Sequence, residues 1–409
     1  MSIDTVAIVG AGHAAAATAR TLRRRGFDGT VTLLGDEIRD PYQRPPLSKE
    51  FLTGELDDTS LPLLTRKWVE DNDVTVRNGA RVSSIDTASR TLIVEGGASL
   101  SADAVVIATG ARPRELPMLP KGTPRVHYLR TVDDAARLRD GLATSTRVAL
   151  IGGGFIGLEI AAAARARGVE VTVVECEQQV LRARLGTRIA GMCADLHREN
   201  GVDLRCGVHL AAAEVDEHRA RLRLSDGRVL DVDEVVVGIG IEPSVELAAA
   251  AGVRVDNGIV VDEMARTSVP GIHAVGDVAS RYSVTAGRHL RMEHVDAANR
   301  QGAVVARTIM GEPRPDTSAP WFWSDQYEHN LQFTGNHVGA GELVFRGDVA
   351  ERAFSAFYLR EGVVTAAFAI DRGEDIMAAR ELLGRSFSPT ALADESCDLW
   401  ELVEEGIVA

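Results

Sequence analysis

A chain of 409 residues exceeds what one ordinary hydrophobic core supports, so two or three domains are expected. With 45% hydrophobic and 25% charged residues it has a globular balance, and a net charge of −14 excludes a general nucleic-acid binder, which needs a basic surface. No apolar run approaches a membrane span, and the N-terminus lacks the basic region, apolar stretch and cleavage site of an export signal, so a cytoplasmic protein with no membrane role is expected.

The first elements lie in "VAIVGAGHAAAATARTLRRRG", residues 6–26: an apolar strand, a glycine turn, and an alanine-rich helix ended by glycine. The strand "TVTLLGDE" follows. Gly10 allows a tight turn and Gly12 a close approach of backbone to a pyrophosphate. Ala15 stands where a third glycine would complete G-x-G-x-x-G, at the cost of slightly wider helix packing. Asp36, just past the second strand, is the expected ribose ligand. "PYQRPPLSKE", residues 41–50, then sets two prolines ahead of Lys49. Only three of the 45 basic side chains are lysines (Lys49, Lys67, Lys121), so an ammonium at this stiffened turn asks for a reason. "VVIATGARP", residues 105–113, reads as an apolar strand ending in Thr109-Gly110.

The opening pattern returns in "VALIGGGFIGLEIAAAARARG", residues 148–168, followed by the strand "EVTVVECE". Here Gly152, Gly154 and Gly157 complete the fingerprint, and Glu175 ends the next strand at the spacing a ribose-binding carboxylate requires. The N–H groups at such a helix start hold phosphates. "VVVGIGIEPS", residues 235–244, has the form of 105–113. "GIHAVGDVA", residues 271–279, reads as a strand ending in Gly276-Asp277 and then a helix-like stretch, with Asp277 able to accept from the ribityl hydroxyls of a flavin. The order is one nucleotide fold, a second inserted into it, and a return to the first. Two such folds imply two dinucleotides, a tightly held flavin and an exchangeable nicotinamide.

From about Trp321 the pattern changes. Trp321 and Trp323 alternate in "PWFWSDQ", as on one face of a strand. Residues 352–370 read as two strands joined at Glu361-Gly362, and "DIMAARELLG" as a helix. The four cysteines, Cys176, Cys193, Cys206 and Cys397, form no C-x-x-C or C-x₄-C pair, which argues against a zinc ribbon and a redox dithiol. His13, His273 and His294 show no metal spacing.

"RPPLSK", "LRT" at 129–131, "GGGFIGLE", "VVGIG", "GDVA" and "PWFWSDQ" together make nearly the whole chain resemble the FAD-dependent NADH:ferredoxin reductases of bacterial oxygenase systems. That group includes the putidaredoxin, rubredoxin and biphenyl-dioxygenase reductases. The resemblance implies an α/β fold with two Rossmann-like dinucleotide-binding domains in the glutathione-reductase-like flavoprotein arrangement, plus a small α+β C-terminal domain. Residues 1–112 and 245–320 would bind FAD, 113–244 NAD, and 321–409 would form the third domain. It implies hydride transfer from NADH and single-electron delivery to a small two-iron ferredoxin or rubredoxin serving an oxygenase, by a monomer or weak homodimer. An NADH-sensing flavoprotein of the apoptosis-inducing-factor type and an NADH oxidase are the alternatives.

Carried over by motif, the FAD contacts are Gly10, Gly12, Ala15, Asp36, Arg44, Lys49, Val82, Arg130, Asp277 and Val295. Several relatives carry tryptophan where Val295 stands. The NAD contacts are Gly152, Gly154, Ile156, Gly157, Glu159, Glu175 and Gly240. Lys49 paired with Glu159 is the expected catalytic element at the reactive flavin edge. Without a cysteine pair, electrons must leave from the flavin itself. Arg300, Arg307, Arg352, Arg360 and Arg372 are candidates for a basic patch that docks an acidic ferredoxin.

Overall fold

The computed structural model describes residues 3–283 and 286–405, so the last four residues of the expected C-terminal domain lie outside it. By contact the chain forms two compact units. The first comprises Met1–Arg44, Asp57–Arg112 and Ile241–Ser318; the second comprises Pro45–Leu56, Pro113–Gly240 and Ala319–Ala409. This division groups the proline turn and the C-terminal segment with the second nucleotide fold, where the three-part reading separates them.

The first unit is built on a parallel sheet of five strands, ordered Ile272–Ala274, Ala104–Ile107, Thr5–Val9, Thr30–Leu34, Val74–Arg77. Its inner strands are continuous apolar runs because both faces are covered. The helix His13–Arg24 lies against the helix Val295–Ile309, and small residues set the distance. A Cβ on Gly302 would stand 2.7 Å from the Ala14 carbonyl oxygen and 2.8 Å from Ala17 Cβ.

The second unit repeats the design with strands in the order Asp203–Cys206, Glu170–Glu175, Arg147–Ile151, Glu234–Val237, Val126–His127. It adds an antiparallel five-stranded sheet, ordered Trp321–Gln326, His329–Gly335, Val363–Ile370, Ala353–Arg360, Glu342–Asp348. One face of that sheet shares a core with the helices Phe155–Ala166 and Arg182–Glu199, through Leu158, Leu185, Phe333 and Tyr358. Phe155 packs edge-on to Phe322, ring centroids 4.8 Å apart. The hairpin turn at Glu361-Gly362 and the helix Gly373–Leu382 fall where the sequence puts them.

One local expectation fails. Beyond Ala274 there is a single 3₁₀ turn, Gly276–Val278, and then a strand, Ala279–Ser283, not a helix. The strand Ile259–Val261 offers it a parallel ladder, and Ala279 and Ser280 are buried there. Tertiary pairing overrides local propensity. Among the described residues no helix is long and apolar enough to cross a membrane.

Candidate functional site

In the first unit the glycine loop follows the strand Thr5–Val9. Gly10 has φ +124°, and a Cβ there would lie 2.2 Å from the Ala108 carbonyl oxygen. Only glycine fits. Gly12 caps the helix His13–Arg24, no side chain caps that end, and no acid stands in the first turn. A Cβ on Gly12 would meet nothing within 4 Å. The loop is therefore a bare helix start with room for an anion, which fits the pyrophosphate of FAD. Ala15 is fully buried behind it.

Other residues expected around FAD gather at the same end of this sheet. Asp36 is exposed just past the strand Thr30–Leu34. Next to it Glu37 accepts from Tyr42 Oη at 2.6 Å and from Arg44 at 2.6 Å. The Arg44 guanidinium lies 5.0 Å above the Tyr42 ring. Burial opposes its charge, but Tyr42, Glu37 and Asp277 outweigh burial and hold its pKa above the ordinary arginine value. Asp277 is half-buried in the 3₁₀ turn after Ile272–Ala274, where the Gly276 N–H donates to Gln301 Oε1 at 2.8 Å. Val295 opens the helix packed on His13–Arg24. Val82 is buried at the start of Val82–Asp86, in a separate three-stranded sheet. Arg130 lies in the second unit, just before the helix Val132–Thr144.

In the second unit Gly152 has φ +108°, and its Cβ would lie 2.4 Å from the Gly238 carbonyl oxygen. A Cβ on Gly157 would lie 2.5 Å from the Gly152 carbonyl oxygen, so the third glycine is needed here for close helix packing. Gly154 is the open, uncapped helix start, and Ile156 beside it is half exposed. Gly240, with φ +101°, also has open space where a side chain would be. Glu175 is tied down at both oxygens: Oε2 accepts the Gly153 N–H at 2.7 Å, and Oε1 the Glu177 N–H at 2.8 Å. These features fit the second dinucleotide.

The two loops are reciprocal in a way their separate sequences do not show. Gly153 is bare because a Cβ there would lie 2.4 Å from Val180 Cγ1 and 3.2 Å from Glu175 Oε2. In the first loop Ala11 stands in Gly153's place and Gly35 in Glu175's. A Cβ on Gly35 would lie 2.9 Å from Ala11 Cβ. Each loop carries a side chain at only one of the two facing positions.

Lys49 interrupts two short turns, Pro45–Ser48 and Glu50–Thr53, with φ −126° and ψ −113°. Its Nζ stands 3.3 Å from Glu159 Oε2 and 3.3 Å from the Pro45 carbonyl oxygen. Ser48 donates to Glu159 Oε2 at 2.5 Å, and Ser324 to Oε1 at 2.6 Å. Burial pushes the Glu159 carboxyl up from its ordinary value, while Lys49, Ser324 and Ser48 pull it back. Beyond Ser324 the polar contacts run on to Gln326 (3.0 Å), His197 (2.8 Å) and Tyr327 (3.0 Å). Ser48, Ser324 and Gln326 stand inside motifs quoted from the sequence but are given no role there, and His197 is not singled out. The alternation of Ser324 and Gln326 on a strand was the one available signal, since residues two apart share a face.

Trp321 and Trp323 stack on one face of their strand, centroids 5.2 Å apart. The Trp321 indole N–H donates to Gln332 Oε1 at 2.9 Å. Three of the candidate docking arginines are already paired within the chain. Arg352 is bound to Glu199, Arg372 to Asp375 and Glu395, and Arg300 to Asp296 and Asp316. Arg360 is exposed and Arg307 half-buried. All four cysteines are unpaired, and burial pushes the Cys193 thiol up to about 12. His273 is buried on a strand, which pushes its pKa down to about 4.

Residues 4–302 match the family described as pyridine nucleotide-disulphide oxidoreductase, and residues 321–403 match the Reductase C-terminal family. The chain is 38% identical to rhodocoxin reductase of Rhodococcus erythropolis over 398 residues, 97% of this chain and 93% of that protein. It is 36% identical to putidaredoxin reductase CamA of Pseudomonas putida over 408 residues, 98% of this chain and 97% of that one. Among solved structures, the ferredoxin reductase for the CYP199A2 system of Rhodopseudomonas palustris superposes with a TM-score of 0.94 at 40% identity, covering 98% of this chain and all of the other.

Proposed function

The chain belongs to the pyridine nucleotide-disulphide oxidoreductase family, and from that premise we propose that it is an FAD-dependent NADH:ferredoxin reductase. It takes hydride from NADH and passes electrons singly to a small iron–sulfur protein or rubredoxin that serves an oxygenase; relatives named rhodocoxin reductase, putidaredoxin reductase and the ferredoxin–NAD(+) reductase component of an anthranilate dioxygenase system support this reading. One structural observation supports the reading: each unit holds a glycine-capped helix start that leaves space for a pyrophosphate and is free of acid in its first turn.

FAD, when bound, supplies a ring that accepts a hydride and can give up electrons one at a time. We assign it to the first unit, with Gly10, Gly12, Ala15, Asp36, Arg44, Asp277 and Val295 as contacts. NADH is assigned to the second, with Gly152, Gly154, Ile156, Gly157, Glu175 and Gly240. The first-turn N–H groups of each helix hold a pyrophosphate. Glu175, pinned by two backbone N–H groups, presents its carboxylate to the adenine ribose and repels a 2′-phosphate. Lys49, held by Glu159 on the helix that begins at the second loop, supplies fixed positive charge for hydride transfer. An ammonium serves better than a guanidinium because it is compact and needs no planar slot. The unpaired cysteines support electron departure without thiol exchange and a reducing cytoplasm as the compartment. A two-iron ferredoxin is our choice of acceptor, and a monomer or weak homodimer our choice of assembly.

The test is anaerobic titration of the purified flavoprotein with NADH, followed by turnover with an acidic two-iron ferredoxin. The flavin should bleach at one NADH per chain, and NADH consumption should then depend on ferredoxin. Slow delivery to ferredoxin, with a long-lived charge-transfer complex, would overturn the reading in favour of an NADH sensor.

A further inference from the structure

The polar chain beyond Glu159 is longer than an ion pair needs. Lys49 and Ser48 serve Oε2, and Ser324 alone would serve Oε1. Yet Ser324, Gln326 and His197 follow one another at zero exposure, ending at Tyr327. The strand Trp321–Gln326 supplies two of these residues and the helix Arg182–Glu199 supplies His197.

Every link has a direction. An ionised carboxylate only accepts, so the Ser324 hydroxyl spends its single hydrogen on Glu159 Oε1. Its oxygen is left to accept from the Gln326 amide nitrogen. The Gln326 carbonyl then faces His197 and requires a hydrogen on Nε2. Nδ1, left without one, accepts from Tyr327 Oη. All the donors point toward Glu159. The other self-consistent arrangement reverses every link at once. Glu159 is then protonated and donates, the Gln326 amide is turned over, His197 carries its hydrogen on Nδ1, and Tyr327 accepts. A proton taken by Glu159 goes to Oε1, because Oε2 faces the Lys49 ammonium, and between Oε1 and His197 any mixture then strands a fully buried polar atom without a partner, which is not tolerated cheaply.

We propose that His197, Gln326 and Ser324 are positioning residues that hold Glu159 as the carboxylate Lys49 requires, so that the His197 tautomer and the Glu159 proton report one shared state. This rests on the assignment of Lys49 and Glu159 to hydride transfer but is tested apart from it. Burial keeps the His197 ring neutral, its pKa pushed down to about 4, so the two neutral tautomers are the states that matter near neutral pH. The charged and titratable groups facing the relay are Lys49 at one end, and Tyr327 at the other with Arg165 and Glu328 in its field.

The experiment uses holoenzyme labelled with ¹⁵N-histidine. At neutral pH the ring shifts of His197, assigned by their loss in His197→Phe, should show the Nε2–H tautomer. Acidification should convert it to Nδ1–H in step with the infrared carboxylic-acid band that Glu159→Gln removes. Ser324→Ala should carry that band, and the acid limb of NADH-dependent flavin reduction, upward by about one pH unit, and Ser324→Thr should restore both. Gln326→Met provides a second break if Ser324→Ala does not fold. An Nδ1–H tautomer at neutral pH, a tautomer indifferent to the Glu159 proton, or an unmoved acid limb overturns the proposal. A normal flavin reduction rate in Lys49→Met would instead overturn the hydride-transfer assignment and leave the tautomer result standing.

Discussion

Lys49 Nζ and Glu159 Oε2 stand 3.3 Å apart with only 10% and 5% of their side chains exposed. A pair so buried is costly to break from either side, because the survivor keeps a charge that water cannot reach. The two breaks differ. Glu159 can escape by taking a proton, and burial already raises its pKa; in Glu159→Gln the Lys49 ammonium is left opposite a neutral amide. Lys49→Met should therefore keep FAD and slow flavin reduction by NADH by ~10- to 100-fold, about 1.4–2.7 kcal/mol of barrier, as read by stopped-flow. Glu159→Gln should slow the same step less.

The pH dependence of the Lys49→Met defect has a definite sign. A carboxyl with a raised folded pKa lends stability below its unfolded pKa and loses it as pH rises through the folded value. Removing Lys49 takes away the main force lowering the Glu159 pKa, so this loss grows. The Tm deficit of Lys49→Met relative to wild type should be larger at pH 8 than at pH 5.5. A deficit independent of pH would mean that Glu159 does not carry the unpaired charge.

Coenzyme choice should follow Glu175. Its two oxygens are fixed by the N–H groups of Gly153 and Glu177, so the carboxylate cannot swing away from a 2′-phosphate. NADH should be preferred over NADPH in kcat/KM by tens-fold or more, on the order of 2–3 kcal/mol. Glu175→Gln should erase most of the difference. Equal values for the wild type would remove Glu175 from this role.

The crossing of His13–Arg24 with Val295–Ile309 should be intolerant of bulk at Gly302. A single methyl there meets the backbone of Ala14 and Thr18 at 2.7 and 2.9 Å. Gly302→Ala should cost about 1–3 kcal/mol through overpacking. It should also loosen FAD, visible as earlier release of flavin fluorescence on heating.

Docking of an acidic ferredoxin predicts that its reduction slows with added salt when the ferredoxin is subsaturating. Arg360→Glu should weaken the salt dependence. Arg352 and Arg372 already neutralise acids of this chain, so their replacement should act first on stability. A rate flat in ionic strength would count against electrostatic docking.

The parts legible in the sequence are those fixed by local sterics. Gly10, Gly12, Gly152 and Gly154 announce themselves because no other residue fits a turn of that shape or leaves that space beside a helix start. The C-terminal hairpin shows through its alternation. The relay from Glu159 to Tyr327 does not, because its links join residues 111 to 165 positions apart, apart from the short step between Ser324 and Gln326. Nothing in "DLHREN" marks His197 as a partner of "SDQ". The strand Ala279–Ser283 is hidden for the same reason: its ladder comes from Ile259–Val261. Nor does composition say which arginines face solvent, since Arg300 and Arg372 meet their acids only once folded.

The facing pairs Ala11/Gly35 and Gly153/Glu175 also constrain history. If the two nucleotide folds descend from one duplicated ancestor, the route between them cannot gain before it loses. An alanine opposite a glutamate would put two side chains where the first loop leaves 2.9 Å for one Cβ. The passable intermediate is glycine at both positions. In the first loop the order is therefore fixed, and a carboxylate at position 35 would have to be preceded by Ala11→Gly, a step that by itself gains nothing; in the second, an alanine at position 153 would also have to clear Val180 Cγ1 at 2.4 Å.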